Sequence, residues 1–515
     1  MAESPGPRGI PTPFALFAGV ASVALGAGIG ELAARVAAPT ASPFATIGGA
    51  LIDAAPAWAK ETAIALFGTA DKVALVVGIA LVVLVLSAGA GWLEARRPPW
   101  GAVVVAAFGI AGAVVALTRS DAGIMSWLPG VLAGGIGALA LRFLIRMLRP
   151  APAREGEGAS RRAFLAWSAG AVVVGIAAAA VGGIRTAGTV AVEAIRRALR
   201  LPGAAVVAPP VPAGAELGIP GLATVITPNE TFYRIDTAIV VPEIDPADWS
   251  LRIHGMVENE ITLTWDELLA LPLEESITTL ACVSNPVGGD LIGNALWLGH
   301  PIRELLARAR PTADADMVLS TSQDGFTAST PLEALTDDRA AILAVGMNGE
   351  PLPLAHGFPV RMVVPGLYGY VSATKWVVSL EVTRFDLARA YWTDRGWSER
   401  GPIKLQSRID VPRYQQGLSA GDTVIAGVAW HQHVGVAGVQ VQIDEGAWRD
   451  ADLATAISDD TWVQWSMPWT AEPGDHLIRC RAVSLDGETQ PEERTHVAPD
   501  GATGWAERFV TVFDE

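Results

Sequence analysis

Two cysteines occur in the 515 residues, and Cys282 ends an apolar, strand-like approach in the segment TTLACVSNPVGGDLIGN (Thr278–Asn294). A lone thiol allows several kinds of chemistry. As a thiolate it is a soft ligand for a metal. It could be a nucleophile, although neither Cys-Gly nor Gln-Ala-Cys surrounds it. It could bridge to Cys480, or serve as a small buried hydrophobe. The Gly288-Gly289 pair that follows would let backbone approach a bulky group closely. Two further segments gather cations and donors. TPNETFYRID (Thr227–Asp236) holds Asn229, Phe232, Tyr233 and Arg234, and in isolation reads as a strand with an exposed arginine. HGFPVRMVVPGLYGYVSATKW (His356–Trp376) holds His356, Arg361, Ser372, Thr374 and Lys375. With two cysteines, a disulfide framework and a four-cysteine zinc site are excluded.

Taken in this order, the segments resemble the sulfite-oxidase family of molybdenum enzymes. The resemblance implies that Cys282 binds the metal of a molybdenum–molybdopterin cofactor as a thiolate, losing the proton that keeps a free thiol inert. It implies that Phe232 and Tyr233 pack on or bond the pterin, that Asn229 belongs to the cofactor-binding set, and that Arg234 faces the substrate side of the metal. Cys282 and Arg234 are then the catalytic pair. VLSTSQDGFTASTP (Val318–Pro331) matches a family segment that reaches the pterin, through Ser320 or Thr321. The His-Gly-x-Pro-x-Arg motif assigns His356 and Arg361 to the cofactor, and the Ser/Thr-Lys-Trp turn assigns Ser372, Thr374 and Lys375 to its phosphate end. A dianionic phosphate needs such cations and N–H donors. Three positions depart from the sulfite-oxidising pattern. Val287 and His433-Val434 stand where arginines are expected, and Trp397 stands at the active-site tyrosine. The expected activity is therefore two-electron oxo transfer with a small-molecule oxo donor or acceptor. A sulfite dehydrogenase and a reductase of sulfoxide-type groups are the enzyme alternatives; a β-sandwich binding or signalling receptor is the non-enzyme one.

Composition divides the chain that must position these residues. Residues 1–200 hold 17 Lys and Arg against 10 Asp and Glu, whereas residues 201–515 hold 20 against 43. So acidic a second part does not fit nucleic acid, whose phosphates call for clustered cations. Apolar runs of bilayer length occur at Phe14–Gly30, Val73–Leu93, Trp100–Thr118, Trp127–Leu141 (extending through Arg142 to Ile145, with Pro129 and Arg142 as the expected ends of the span) and Ala163–Ile184. Arg8, Arg96, Arg97, Arg142, Arg146, Arg149, Arg154, Arg161 and Arg162 fall on one side of these runs; Arg35, Lys60, Lys72 and Arg119 fall on the other. The positive-inside rule then places the N-terminus inside and everything after the fifth run outside. SRRAFLAW (Ser160–Trp167) resembles a twin-arginine export motif, a route for folded, cofactor-loaded proteins. All seven histidines come after the fifth run, so no bis-histidine haem can form within it or its neighbours.

The expected fold is multi-domain. Residues 1–188 form an α-helical transmembrane bundle of five helices, and 189–220 an Ala/Pro-rich, extended linker. Residues 221–395 form an α+β molybdopterin domain. Residues 396–515 form an immunoglobulin-like β-sandwich of short alternating strands, with Cys480 facing its core. Thr264 and Glu267 predict a capping box, and His254 is assigned to scaffold. The implied setting is a multi-pass cell-membrane protein with an extracytoplasmic catalytic domain. It would pass electrons to or from a separate electron-transfer protein or quinone-linked partner, and the resemblance implies homodimerisation through the C-terminal domain.

Overall fold

The structure is a computed structural model that describes residues 10–38, 41–44, 46–48, 71–118, 122–149, 157–183, 187–238, 240–414 and 416–514. It comprises two compact units, residues 1–191 with 238–241, and residues 192–237 with 242–515.

In the first unit, α1 (Thr12–Ala37), α2 (Asp71–Arg96), α3 (Trp100–Thr118), α4 (Leu128–Leu148) and α5 (Glu157–Gly183) include five stretches long and apolar enough to cross a membrane. Small residues set the packing: a Cβ on Gly19 would collide with the Ser87 carbonyl, and one on Gly28 with Gly175. Close backbone approach of this kind is how apolar helices associate where no hydrophobic force separates helix from lipid. Arg142 does not end the fourth run, because α4 continues through it for six residues to Leu148. The side chains of Ser160 and Arg161 lie outside the described residues; Phe164 of the same motif is fully buried against Phe14.

The expected linker is neither wholly extended nor free. It opens with an amphipathic helix, α6 (Ala187–Ala198), in which Glu193 pairs with Arg196 and Arg197. The chain that follows is hydrogen-bonded along its length. Ala205 N–H donates to the Leu273 carbonyl, Glu275 N–H to Val206, Thr455 N–H to Gly214, and Leu217 N–H to the Gln464 side chain. An Ala/Pro composition carries no periodicity that reports such docking, because the partners lie far away in sequence.

The second unit holds four sheets. β1 (Ser250–Gly255), β2 (Ile261–Thr264), β5 (Met317–Ser322), β6 (Thr327–Pro331) and β10 (Val377–Thr383) form one, in the order β2-β1-β10-β5-β6. β3 (Glu274–Ala281), β4 (Ile292–Pro301), β7 (Ile342–Met347) and β8 (Glu350–Pro351) form the next, with β9 (Arg361–Val363) paired to β7. The capping box predicted at Thr264 and Glu267 is present at the start of the helix Trp265–Leu269. His254 bonds the Ser379 hydroxyl on the neighbouring strand, as scaffold.

The remaining two sheets make the C-terminal sandwich. β11 (Gln406–Val411), β13 (Gly421–Trp430), β16 (Asp452–Leu453) and β17 (Val463–Ala471) face β12 (Gly417–Ser419), β14 (Val436–Ile443), β15 (Arg449–Asp450), β18 (Gly474–Ser484) and β19 (Ala506–Phe513). Alternate residues Ile478, Cys480 and Ala482 point into the core between them, each fully buried. His431 to Gly435 is a tight turn between β13 and β14, with His433 at φ 70°.

Candidate active site

The strand that delivers Cys282 is anchored from both domains of the second unit. Thr279 on β3 donates its hydroxyl to Asn294 and its N–H to the Asp460 carbonyl, and accepts from Trp462 N–H. Strand pairing ends as Cys282 N–H donates to Leu291, and the Asn285 side chain accepts from the same residue's N–H at 3.0 Å. The loop thus closes on itself. The two glycines serve that closure rather than an incoming group: Gly288 has φ +75°, and a Cβ on Gly289 would strike Asn285 and Pro286. Val287 packs against the apolar core of the C-terminal sandwich. Arg408 of that domain clamps the loop by donating to the Gly289 carbonyl at 3.1 Å.

Cys282 and Cys480 are both free thiols, so they form no bridge. Burial pushes the Cys282 thiol above its ordinary pKa, opposed by hydrogen bonds from Ser284 and by the charge of Lys375. The thiol keeps its proton until something stronger displaces it.

Around it the motifs of the sequence converge. His356, 6% exposed, donates Nε2–H to the Asn229 carbonyl at 3.2 Å, and its Nδ1 is buried with no partner. Burial and the charges of Lys375 and Arg361 lower its pKa to about 3, so the ring is neutral and Nδ1 holds an unengaged lone pair. Arg361 lies over Trp297 at 5.1 Å and donates only to the carbonyls of Met362, His356 and Ala373. It makes no ion pair among the described residues, and burial lowers its pKa to about 10. Lys375 Nζ donates to Asp236 and to the Ala355 carbonyl, each at 3.0 Å, and burial lowers its pKa to about 8. Gly357, at φ +112°, lets the histidine turn meet the lysine: a Cβ there would sit 3.2 Å from that of Lys375. Trp376 closes the turn at φ 52°, an unfavourable conformation for a bulky residue, held by its indole bond to the Leu354 carbonyl.

Other expected contacts are redistributed. Phe232 belongs to the core, edge-on to Trp297 at 5.8 Å and to His356 at 5.6 Å, and Gly293 makes room for its ring. Tyr233 stacks on Phe232, and its hydroxyl has no hydrogen-bond partner among the described residues. Burial and the Cys282 charge raise its pKa. The Asn229 side chain is committed to Asn348, Glu350 and the Met347 carbonyl, so only its backbone reaches the site. Arg234 is not a free cation: it forks onto Asp236 at 2.9 and 3.3 Å, and Asp236 also holds Lys375. Ser320 bonds Thr374 at 2.7 Å and so ties β5 to the lysine turn, whereas Thr321 points to the opposite face of the strand. The Ser372 hydroxyl donates to the Leu367 and Tyr368 carbonyls, leaving it none to give a ligand. Trp397 is buried against Tyr370 and Trp392. His433 pairs with Asp460. One residue absent from the sequence-derived set joins the site, Asp236. Asp236 was visible two residues after Arg234, but its two-cation role depends on Lys375, 139 residues away.

A chain segment with this arrangement matches the family model described as "Oxidoreductase molybdopterin binding domain" over residues 238–392. The uncharacterized oxidoreductase YuiH of Bacillus subtilis is 31% identical over 180 residues, covering 34% of this chain and 87% of that protein. The chain belongs to the sulfite oxidase family of molybdopterin-binding oxidoreductases. Among other members, the catalytic subunit MsrP of the protein-methionine-sulfoxide reductase of Campylobacter jejuni is 31% identical over 207 residues, covering 36% of this chain and 67% of that protein. Mitochondrial sulfite oxidase of Rattus norvegicus is 28% identical over 316 residues, or 52% of this chain, which spans 57% of that enzyme's length. The sulfane dehydrogenase SoxCD of Paracoccus pantotrophus shares the fold, with a TM-score of 0.50 at 24% identity over 56% of this chain and 81% of that one.

The residues present fit the cofactor that the family binds. Arg361, buried without a counter-ion, suits an anionic group, and the orphaned Nδ1 of His356 suits a hydrogen-bond donor, as on the N–H edge of a pterin.

Proposed function

We propose that this chain is a membrane-anchored molybdenum-cofactor oxidoreductase that carries out two-electron oxo transfer on a neutral substrate of the sulfoxide type. Cys282 is the thiolate ligand of the metal. His356 and Arg361 hold the pterin, and Lys375, with the backbone of the turn that Thr374 and Ser320 fix, holds the phosphate end. Arg234 acts through Asp236, keeping that carboxylate in place beside Lys375. When bound, the cofactor supplies the two-electron couple and the oxo-binding metal, while these side chains bind and orient it.

One observation carries the choice of substrate: among the described residues, no guanidinium of the motif segments is left for a substrate anion once Arg361 meets the cofactor. Arg234 is paired with Asp236, Arg361 is engaged by carbonyls, and Val287 belongs to the sandwich contact. A dianion such as sulfite would call for a cation that these residues do not spare, Lys375 being shared with Asp236 and given to the phosphate end, whereas a neutral oxo group needs only hydrogen-bond donors. The Campylobacter jejuni relative, a protein-methionine-sulfoxide reductase subunit, agrees with this reading; the rat relative, a sulfite oxidase, favours sulfite.

The five apolar helices anchor the second unit outside the cytoplasm in this proposal, supported by the loop arginines and the twin-arginine resemblance. Helix α6 adds Arg196 and Arg197 to the outer flank, but both are paired with Glu193. Electrons come from a separate electron-transfer protein or a quinone-linked partner, and a homodimer forms through the C-terminal sandwich. The test is a substrate screen on the full chain purified from cells that make the cofactor. Reduction of sulfoxides by an artificial electron donor, with sulfite oxidised at least tenfold less efficiently, is expected. Efficient sulfite oxidation at micromolar KM replaces this reading with a sulfite dehydrogenase.

A further inference from the structure

We propose that Tyr368 is a substrate-facing hydrogen-bond donor, a neutral phenol that grips the oxo oxygen where a cation would grip an anion. The inference deepens the sulfoxide reading and rests on it. Tyr368 immediately precedes the short helix Gly369–Ser372, and that helix packs on the strand end that carries Cys282: a Cβ on Gly369 would lie 3.7 Å from the Ala281 carbonyl. The ring is 3% exposed. Its oxygen sits where the two domains of the second unit meet, against Gly501, whose missing side chain makes the space; a Cβ there would come within 2.7 Å. Lys404 fastens this wall by donating from Nζ to Asp500 and to the Gly501 carbonyl, both at 2.8 Å.

The hydroxyl accepts a long bond of 3.4 Å from Lys404 N–H, and its own proton has no acceptor among the described residues. A buried donor left in that state costs stability unless something accepts from it. Burial raises its pKa and keeps the phenol protonated. Tyr370, two residues on, is the contrast: its hydroxyl donates to the Ser398 carbonyl at 2.8 Å and braces the chain. Tyr233, stacked on Phe232, offers a second unengaged phenol.

The test is Tyr368→Phe in the cofactor-loaded full chain, with Tyr370→Phe as a structural control and metal content measured in both. The readouts are KM for a methyl sulfoxide and the inhibition constant of the corresponding thioether, which has no oxo oxygen to accept a bond. Tyr368→Phe should raise KM about three- to tenfold, the loss of one neutral hydrogen bond, with thioether inhibition and metal content unchanged. Tyr370→Phe should lower thermal stability and leave the ratio of the two constants alone. An unchanged KM in Tyr368→Phe, or equal movement of both constants, overturns the role of Tyr368 while the sulfoxide reading stands. Failure of the unmodified protein to turn over any sulfoxide overturns that reading and this inference with it.

Discussion

Cys282 and Cys480 are both free, both buried and both shifted toward the protonated thiol, yet their surroundings differ in kind. Cys480 lies in the sandwich core, where burial raises its pKa to about 12; Ser407 beside it donates to Gln490, and Gln490 to the Gly504 carbonyl, although Trp465 Nε1 and Arg508 Nε in the same sandwich are left without partners. Cys282 lies at the end of a strand among groups the protein does not satisfy, including an orphaned histidine nitrogen, an arginine without a counter-ion and two phenols with unengaged protons. Burial therefore does not distinguish a ligand from a packing residue. Nor does unmet hydrogen-bonding capacity alone, which both regions contain; what sets Cys282 apart is its place at a strand end, where the histidine, arginine and lysine of the motif segments gather, rather than inside a packed apolar core.

The largest expected effect falls on the cation at the edge of that unsatisfied set. Lys375→Gln should lower cofactor content about ten- to a hundredfold, the loss of a charge-assisted bond to an anion, without unfolding the domain, since Asp236 keeps Arg234. The same lysine sets a pH dependence. Its pKa of about 8 in the cofactor-free protein lies below the ordinary lysine value, and an anion bound beside it raises it again, so cofactor binding takes up a proton. Cys282 must shed its own proton to bind the metal, so affinity should rise with pH up to about 8 and level off above it, where proton uptake at Lys375 offsets that release; cofactor uptake by the empty chain, followed by metal content across pH 7 to 9.5, checks this. A rise that continues unchanged above pH 8 would show that Lys375 does not meet the anion.

A smaller effect tests the other side of the comparison. By its position after Cys282, Val287 reads in sequence as a lost sulfite-binding arginine, but in the fold it packs on the sandwich core. Val287→Arg should therefore cost about 1–3 kcal/mol of stability by forcing a charge toward an apolar contact and bring no gain in sulfite oxidation. A thermal melt and a sulfite assay on the variant decide it: undiminished stability with improved sulfite use would return Val287 to the pocket.

Local pattern made much of the molecule legible. Hydropathy marked the five apolar helices, alternation marked the sandwich strands and the inward face of Cys480, and motif order marked Cys282, His356, Arg361 and Lys375. Long-range pairing hid the rest. Asn229 looks like a ligand until its amide is found bonded to Asn348 and Glu350, about 120 residues on. Arg234 looks free until Asp236 is seen to hold both it and Lys375. Phe232 looks like a stacking platform until Gly293 and Trp297 enclose it. Tyr368 went unselected because only the fold brings Gly369 against Ala281 and Gly501 against the phenol. Helix α6 and the docked segment after it were hidden by a composition that reads as a spacer.

The central claim is that Cys282 alone of the two thiols holds the metal, and metal analysis of matched variants tests it most directly. Full chains carrying Cys282→Ser or Cys480→Ser, made in cells that synthesise the cofactor, are compared with the unmodified protein for molybdenum content and for thiolate-to-metal absorption. The account predicts about one molybdenum per chain in the unmodified protein and in Cys480→Ser, as a single thiolate site implies, with the absorption band lost only in Cys282→Ser. A band that survives in Cys282→Ser, or disappears in a folded Cys480→Ser, would contradict it.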